Sequence, residues 1–118
     1  MSKLEVIKEV SERRDGDKEI LKALKEHGDN NSAERPVLHY GYFENKKAYK
    51  EFKKFLQEQD VPFEPTKKGL GFVIVSQSTM IEEEIFESVD SVSNMFKLAG
   101  GEYDGWETQI VNDKTSDN

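Results

Sequence analysis

Apolar positions along this chain follow two rhythms, one helical and one strand-like, and their alternation predicts a leading helix followed by a βαββαβ series. Residues 17–28 bring Ile20, Leu21 and Leu24 to one face, with Asp17 as N-cap and Gly28 as the stop. Ahead of them, Leu4, Ile7 and Val10 either extend that helix or form a separate piece broken at Asp15-Gly16. After a polar turn, residues 36–43 are rich in β-branched and aromatic types and read as a first strand. Over 45–60, Ala48, Tyr49, Phe52, Phe55 and Leu56 recur at helical spacing behind the N-cap Asn45, while Lys46, Lys47, Lys50, Lys53 and Lys54 fill the other side.

Residues 61–65 hold two prolines, which remove ladder donors and restrict the segment to an edge or irregular strand. A turn at Lys67-Lys68-Gly69 leads into the apolar run 70–76, whose near-continuity predicts a central strand. Thr79-Met80-Ile81-Glu82 has capping-box form, and Ile81, Ile85, Val89, Val92, Phe96 and Ala99 then mark a long helix stopped by Gly100-Gly101. Residues 103–111 close the series as a last strand. Two right-handed βαβ crossovers sharing one antiparallel sheet predict an α+β fold, a ferredoxin-like βαββαβ sandwich with an added N-terminal helix. Residues 1–16 read as a partly helical extension, 17–111 as a single domain with its leading helix, and 112–118 as a polar tail.

Charge changes this picture by giving it direction. The net charge of -7 is unevenly held: residues 1–35 sum to -1, residues 36–68 to +2 and residues 69–118 to -8. An acidic C-terminal half disfavours phosphate backbones and favours basic protein segments. With no cysteine, disulfides and thiol chemistry are excluded, and a reducing, cytoplasmic setting is expected. The first twenty residues carry charge throughout, with no apolar run of signal or membrane length.

The inventory for catalysis is poor. His27 and His39 have no local partner at ligand or triad spacing, so His27 reads as a helix C-terminal residue and His39 as a sheet residue. Neither catalysis, a metal nor a cofactor is expected. Glu82, Glu83, Glu84 and Glu87 cannot converge on one ion from adjacent helical positions, and they suit either the helix dipole or a basic partner. Lys68-Gly69-Leu70-Gly71-Phe72-Val73-Ile74-Val75 matches five of seven specified positions of an RNA-recognition signature. Leu70 and Val75 replace two of its aromatic residues, leaving Phe72, with Tyr40 or Tyr42, as the alternative RNA-stacking surface. The competing reading is a hairpin turn followed by a buried strand, and it ranks above the RNA reading.

The closing run Gly101-Glu102-Tyr103-Asp104-Gly105-Trp106-Glu107-Thr108, after a long second helix, resembles the last strand of RraB-type regulators of ribonuclease E activity. The likeness extends more weakly over 85–101 and to the early helix end at Leu24 and Gly28-Asp29. It implies a non-enzymatic, acidic regulator that binds ribonuclease E and restrains RNA decay. Charge nominates Glu82, Glu83, Glu84, Glu87 and Asp104 as contacts with a basic protein segment, and the shared run adds Trp106. Within that run, Tyr103 and Trp106 also bring apolar area to a sheet, and Gly105 permits a bulge.

Overall fold

The computed structural model describes residues 3–112, with side chains from Arg13 onward. The apolar face expected of Leu4, Ile7 and Val10, and the tail beyond Asn112, lie outside the described residues. The chain forms two compact units, Glu34–Gln109 and a second in which the residues up to Ala33 join the segment from Ile110.

In that second unit, α1 spans Lys3–Glu26 without the break considered at Asp15-Gly16. Asp17 is therefore not an N-cap. It lies mid-helix, buried, and accepts a hydrogen bond from the Arg14 guanidinium at 3.1 Å, a pairing that neutralises its charge from the preceding turn. Gly28 does stop the helix: at φ +83° it turns the chain so that its N–H and that of Asp29 donate to the carbonyls of Lys25 and Leu24. Beyond the stop, the Asp29 carboxylate accepts from Val111 N–H at 2.8 Å, and Asn30 N–H donates to the Val111 carbonyl at 2.7 Å.

The larger unit runs β1 (Arg35–Tyr42), α2 (Lys46–Glu58), β2 (Phe63–Pro65), β3 (Gly71–Ser78), α3 (Glu82–Leu98) and β4 (Glu102–Thr108). The strands form one antiparallel sheet in the order β2-β3-β1-β4. The prolines confine β2 to three residues on an edge, and β3 lies inside the sheet, both as the sequence predicts. The last strand is shorter than expected, ending at Thr108.

Alternation along β1 turns Val37, His39 and Gly41 inward, and Phe72 and Ile74 of β3 join them. The main core combines Phe43, Phe72 and Ile74 with Phe52 and Leu56 of α2 and Val92 and Phe96 of α3. Both helices thus bury apolar side chains against the same sheet face. Asn45 caps α2 as expected, its side chain accepting from the N–H groups of Lys47 and Ala48. Thr79, by contrast, does not cap α3. Ile81 holds the N-cap position, and the Thr79 hydroxyl accepts from Ile81 N–H while donating to Glu84. The capping pattern was present in the letters, but the helix begins later than the pattern implies.

Gly41 meets the ring of Phe96 so closely that a Cβ there would lie 2.3–2.5 Å from three ring carbons. Because Phe96 is fully buried, its ring has little room to retreat. Gly41→Ala should destabilise the protein by about 1–3 kcal/mol, the usual range for overpacking, with an unchanged urea m-value in equilibrium unfolding.

Candidate functional site

The first turn of α3 presents Glu82, Glu83 and Glu84, all exposed, with Glu87 exposed one turn later. Three carboxylates at a helix N-terminus complement its dipole, which favours negative charge in the first turn. Glu84 and Glu87, three residues apart, share a wall of an open polar cleft of about 420 Å³. Glu34, Gln77, Ser78, Thr79, Ser88 and Ser91 complete its lining. Glu82 and Glu83 do not line it. Sequence reading missed Glu34 and the serines, because isolated residues gain meaning here only once β1, β3 and α3 are packed.

Asp104 and Trp106 lie apart from this cluster, on β4. Tyr40 pairs with Gly105 and Gly41 with Tyr103, so Asp104 is the extra residue of a β-bulge, and Gly105 adopts φ +121°. The bulge expected from Gly105 is therefore present. Asp104 is exposed, whereas Trp106 is buried with 7% of its surface accessible and pairs in register with His39. The large apolar area of Trp106 is used in packing.

His39 is fully buried and bonded at both ring nitrogens: Nδ1 to the Tyr103 hydroxyl and Nε2 to Ser76 Oγ, each at 2.8 Å. Ser76 Oγ in turn shares a hydrogen bond with Ser88 Oγ at 2.9 Å. This chain of hydroxyls and imidazole crosses from β4 through β1 and β3 to α3, ending at the cleft wall. Burial lowers the His39 pKa to about 4, so the ring is neutral near pH 7. His27, at the end of α1, donates from Nδ1 to the Ala23 carbonyl at 2.7 Å, satisfying one of the carbonyls a helix end leaves open. Among the described residues, no group of three His, Asp or Glu side chains could hold a metal ion, and no helix is long and apolar enough to cross a membrane.

The RNA-stacking alternative built on Phe72 is overturned by its orientation. Phe72 is fully buried on the helix side, its ring stacked on Tyr49 at 4.4 Å and set edge-on to Phe63 at 5.5 Å. Tyr40 and Tyr42 point to the opposite sheet face, so no aromatic platform joins them to Phe72. On their face Tyr40 donates to the Glu107 carboxylate at 2.5 Å; that bond to an anion raises the Tyr40 pKa to about 12.

The signature strand thus presents no aromatic platform, and the helix turn that carries Glu82, Glu83 and Glu84 is acidic. Residues 14–108 match the family model for regulator of ribonuclease activity B. The chain belongs to this family, RraB, and so to a group of ribonuclease regulators. No curated protein matches it.

The His39 environment makes a pH prediction. Its folded pKa lies below its unfolded value, so the unfolded chain takes up the proton first as pH falls. Stability attributable to this residue is unaffected at pH 7, declines from about pH 6.5, and is about 3 kcal/mol lower below pH 4. Urea unfolding between pH 7 and pH 5 should show this slope, and His39→Gln should flatten it.

Proposed function

We propose that this chain is a non-enzymatic regulator that binds ribonuclease E and restrains RNA decay, docking through the acidic surface of α3. The observation that carries this reading is the family match over residues 14–108. The exposed Glu82, Glu83, Glu84 and Glu87 supply a surface that attracts a basic protein segment and repels competing phosphate backbones. Asp104 adds charge from the edge strand, and Trp106 holds that strand against the core. The sheet order β2-β3-β1-β4, with both α2 and α3 packed on one face, supports a ferredoxin-like sandwich carrying α1 as an addition. A cytoplasmic setting accords with a partner engaged in RNA decay and with the absence of cysteine.

Calorimetric titration with the purified non-catalytic region of ribonuclease E tests the proposal. The unaltered chain should bind, and a Glu82→Lys/Glu83→Lys/Glu84→Lys variant should bind roughly tenfold or more weakly, a difference of about 1.4 kcal/mol. Failure of the unaltered chain to bind removes ribonuclease E as the partner. Binding indifferent to the charge reversal removes the α3 surface.

A further inference from the structure

We propose that the sheet face turned away from α2 and α3 is a docking surface for an amphipathic helix of a partner protein, one whose aliphatic stripe is flanked by arginines. Strand register sets the composition of this face. Tyr40 and Val73 lie side by side at its centre, with Glu64 beyond them on β2. Leu38 and Val75 form the next row, with Glu107 beyond them on β4, and Tyr42 pairs with Glu102. Leu38, Tyr40, Val73 and Val75 are partly exposed, and Tyr42 and the three glutamates are exposed. The result is an apolar and aromatic floor between two carboxylate borders. Among the described residues, no Lys, Arg or His occupies an outward position on any of the four strands.

This arrangement selects its occupant. Strand N–H and C=O groups bond sideways within the sheet, so a segment lying on the face finds no backbone partner there. Its own backbone must be satisfied internally, as that of a helix is. The border strands β2 and β4 stand three strand spacings apart, about 14 Å. A helix with its side chains is about 10 Å across, so residues on both its flanks reach the bordering glutamates. Those glutamates repel phosphate and call for cations on each side of the helix. Leu38, Val73 and Val75 meet an aliphatic stripe between them, a contact that a polyamine or a metal ion would leave in water.

The geometry also favours arginine over lysine. Tyr40 donates its hydroxyl to Glu107 and so holds a carboxylate beside an aromatic ring. Next to this pair Gly105 leaves open space, since a Cβ there would meet no atom within 4 Å. A planar guanidinium seated at Gly105 stacks on the ring while its fork meets the carboxylate, a combination that a compact, strongly hydrated ammonium matches poorly. The surface lies on the far side of the sheet from α3, and the inference does not require the partner to be ribonuclease E.

Titration of the nitrogen-15-labelled full chain with a helical peptide of about eighteen residues, its leucines in one stripe flanked by arginines, tests this assignment. Amide shifts should concentrate at Leu38, Tyr40, Val73 and Val75. Glu64→Lys/Glu107→Lys should weaken binding roughly tenfold while the spectrum still shows a folded chain. Glu19→Lys/Glu26→Lys makes the same change in net charge at exposed positions of α1 and should weaken it far less. A peptide of the same composition with its leucines scattered around the helix should bind roughly tenfold or more weakly. Absence of binding, equal loss in the two variants, or equal binding of the scattered peptide overturns the proposal. Shifts confined to the first turn of α3 also overturn it, while leaving the α3 docking reading in place. Amide shifts of this face that change with protein concentration alone would assign it to a second copy of the chain instead.

Discussion

Much of the larger unit depends on one close approach, the ring of Phe96 against the bare backbone of Gly41. Without a side chain at that point of β1, α3 can lower an aromatic residue directly onto the sheet. Phe96 then meets Phe43 and Phe52 with ring centroids 6.0 and 5.0 Å apart, drawing α2 and the β1–α2 junction into the same core. Seating α3 in this way also sets the line of its earlier turns. Ile85, Val89 and Val92 point inward, so Glu84, Glu87 and Ser91 are left on the surface and at the cleft. The acidic surface is thus a geometric consequence of core packing as well as of composition.

The element order was legible because apolar spacing carries most of it. The lysine-backed α2, the proline-limited β2 and the continuous apolar β3 each have a physical reason visible in the letters. Face and boundary were harder to read. A nearly continuous apolar strand conceals which residues point to which side, and so Phe72 could be assigned to a stacking surface when the register turns it toward Tyr49. Asp17 has the chemistry of an N-cap, but Arg14 one turn earlier gives it a partner and lets the helix pass through. Thr79 and Glu82 have capping-box spacing, yet the backbone at Ile81 is extended and the helix begins only at Glu82.

The candidate site was legible in part for a related reason. Runs of like charge declare themselves in sequence, and Glu82 to Glu84 are exposed as a solvated run should be. The imidazole and hydroxyl chain does not declare itself, since His39, Ser76, Ser88 and Tyr103 come from four different elements. Only strand register and helix seating bring them into line. His39 is consistent with its sequence reading as a sheet residue, but its role in joining three strands to a helix had no local signal.

The bulge at Asp104 bears on what the β4 edge offers to a further strand. β4 is an edge strand, and an edge with regular spacing is a template on which another chain can add. Here the extra residue interrupts the ladder, and Glu102, Asp104 and Glu107 set exposed negative charges along it. The other edge, β2, is three residues long and ends in proline. Neither border of the sheet offers a long, flat, uncharged stretch for recruitment. Charged and interrupted borders of this kind are poor templates for adding a further strand.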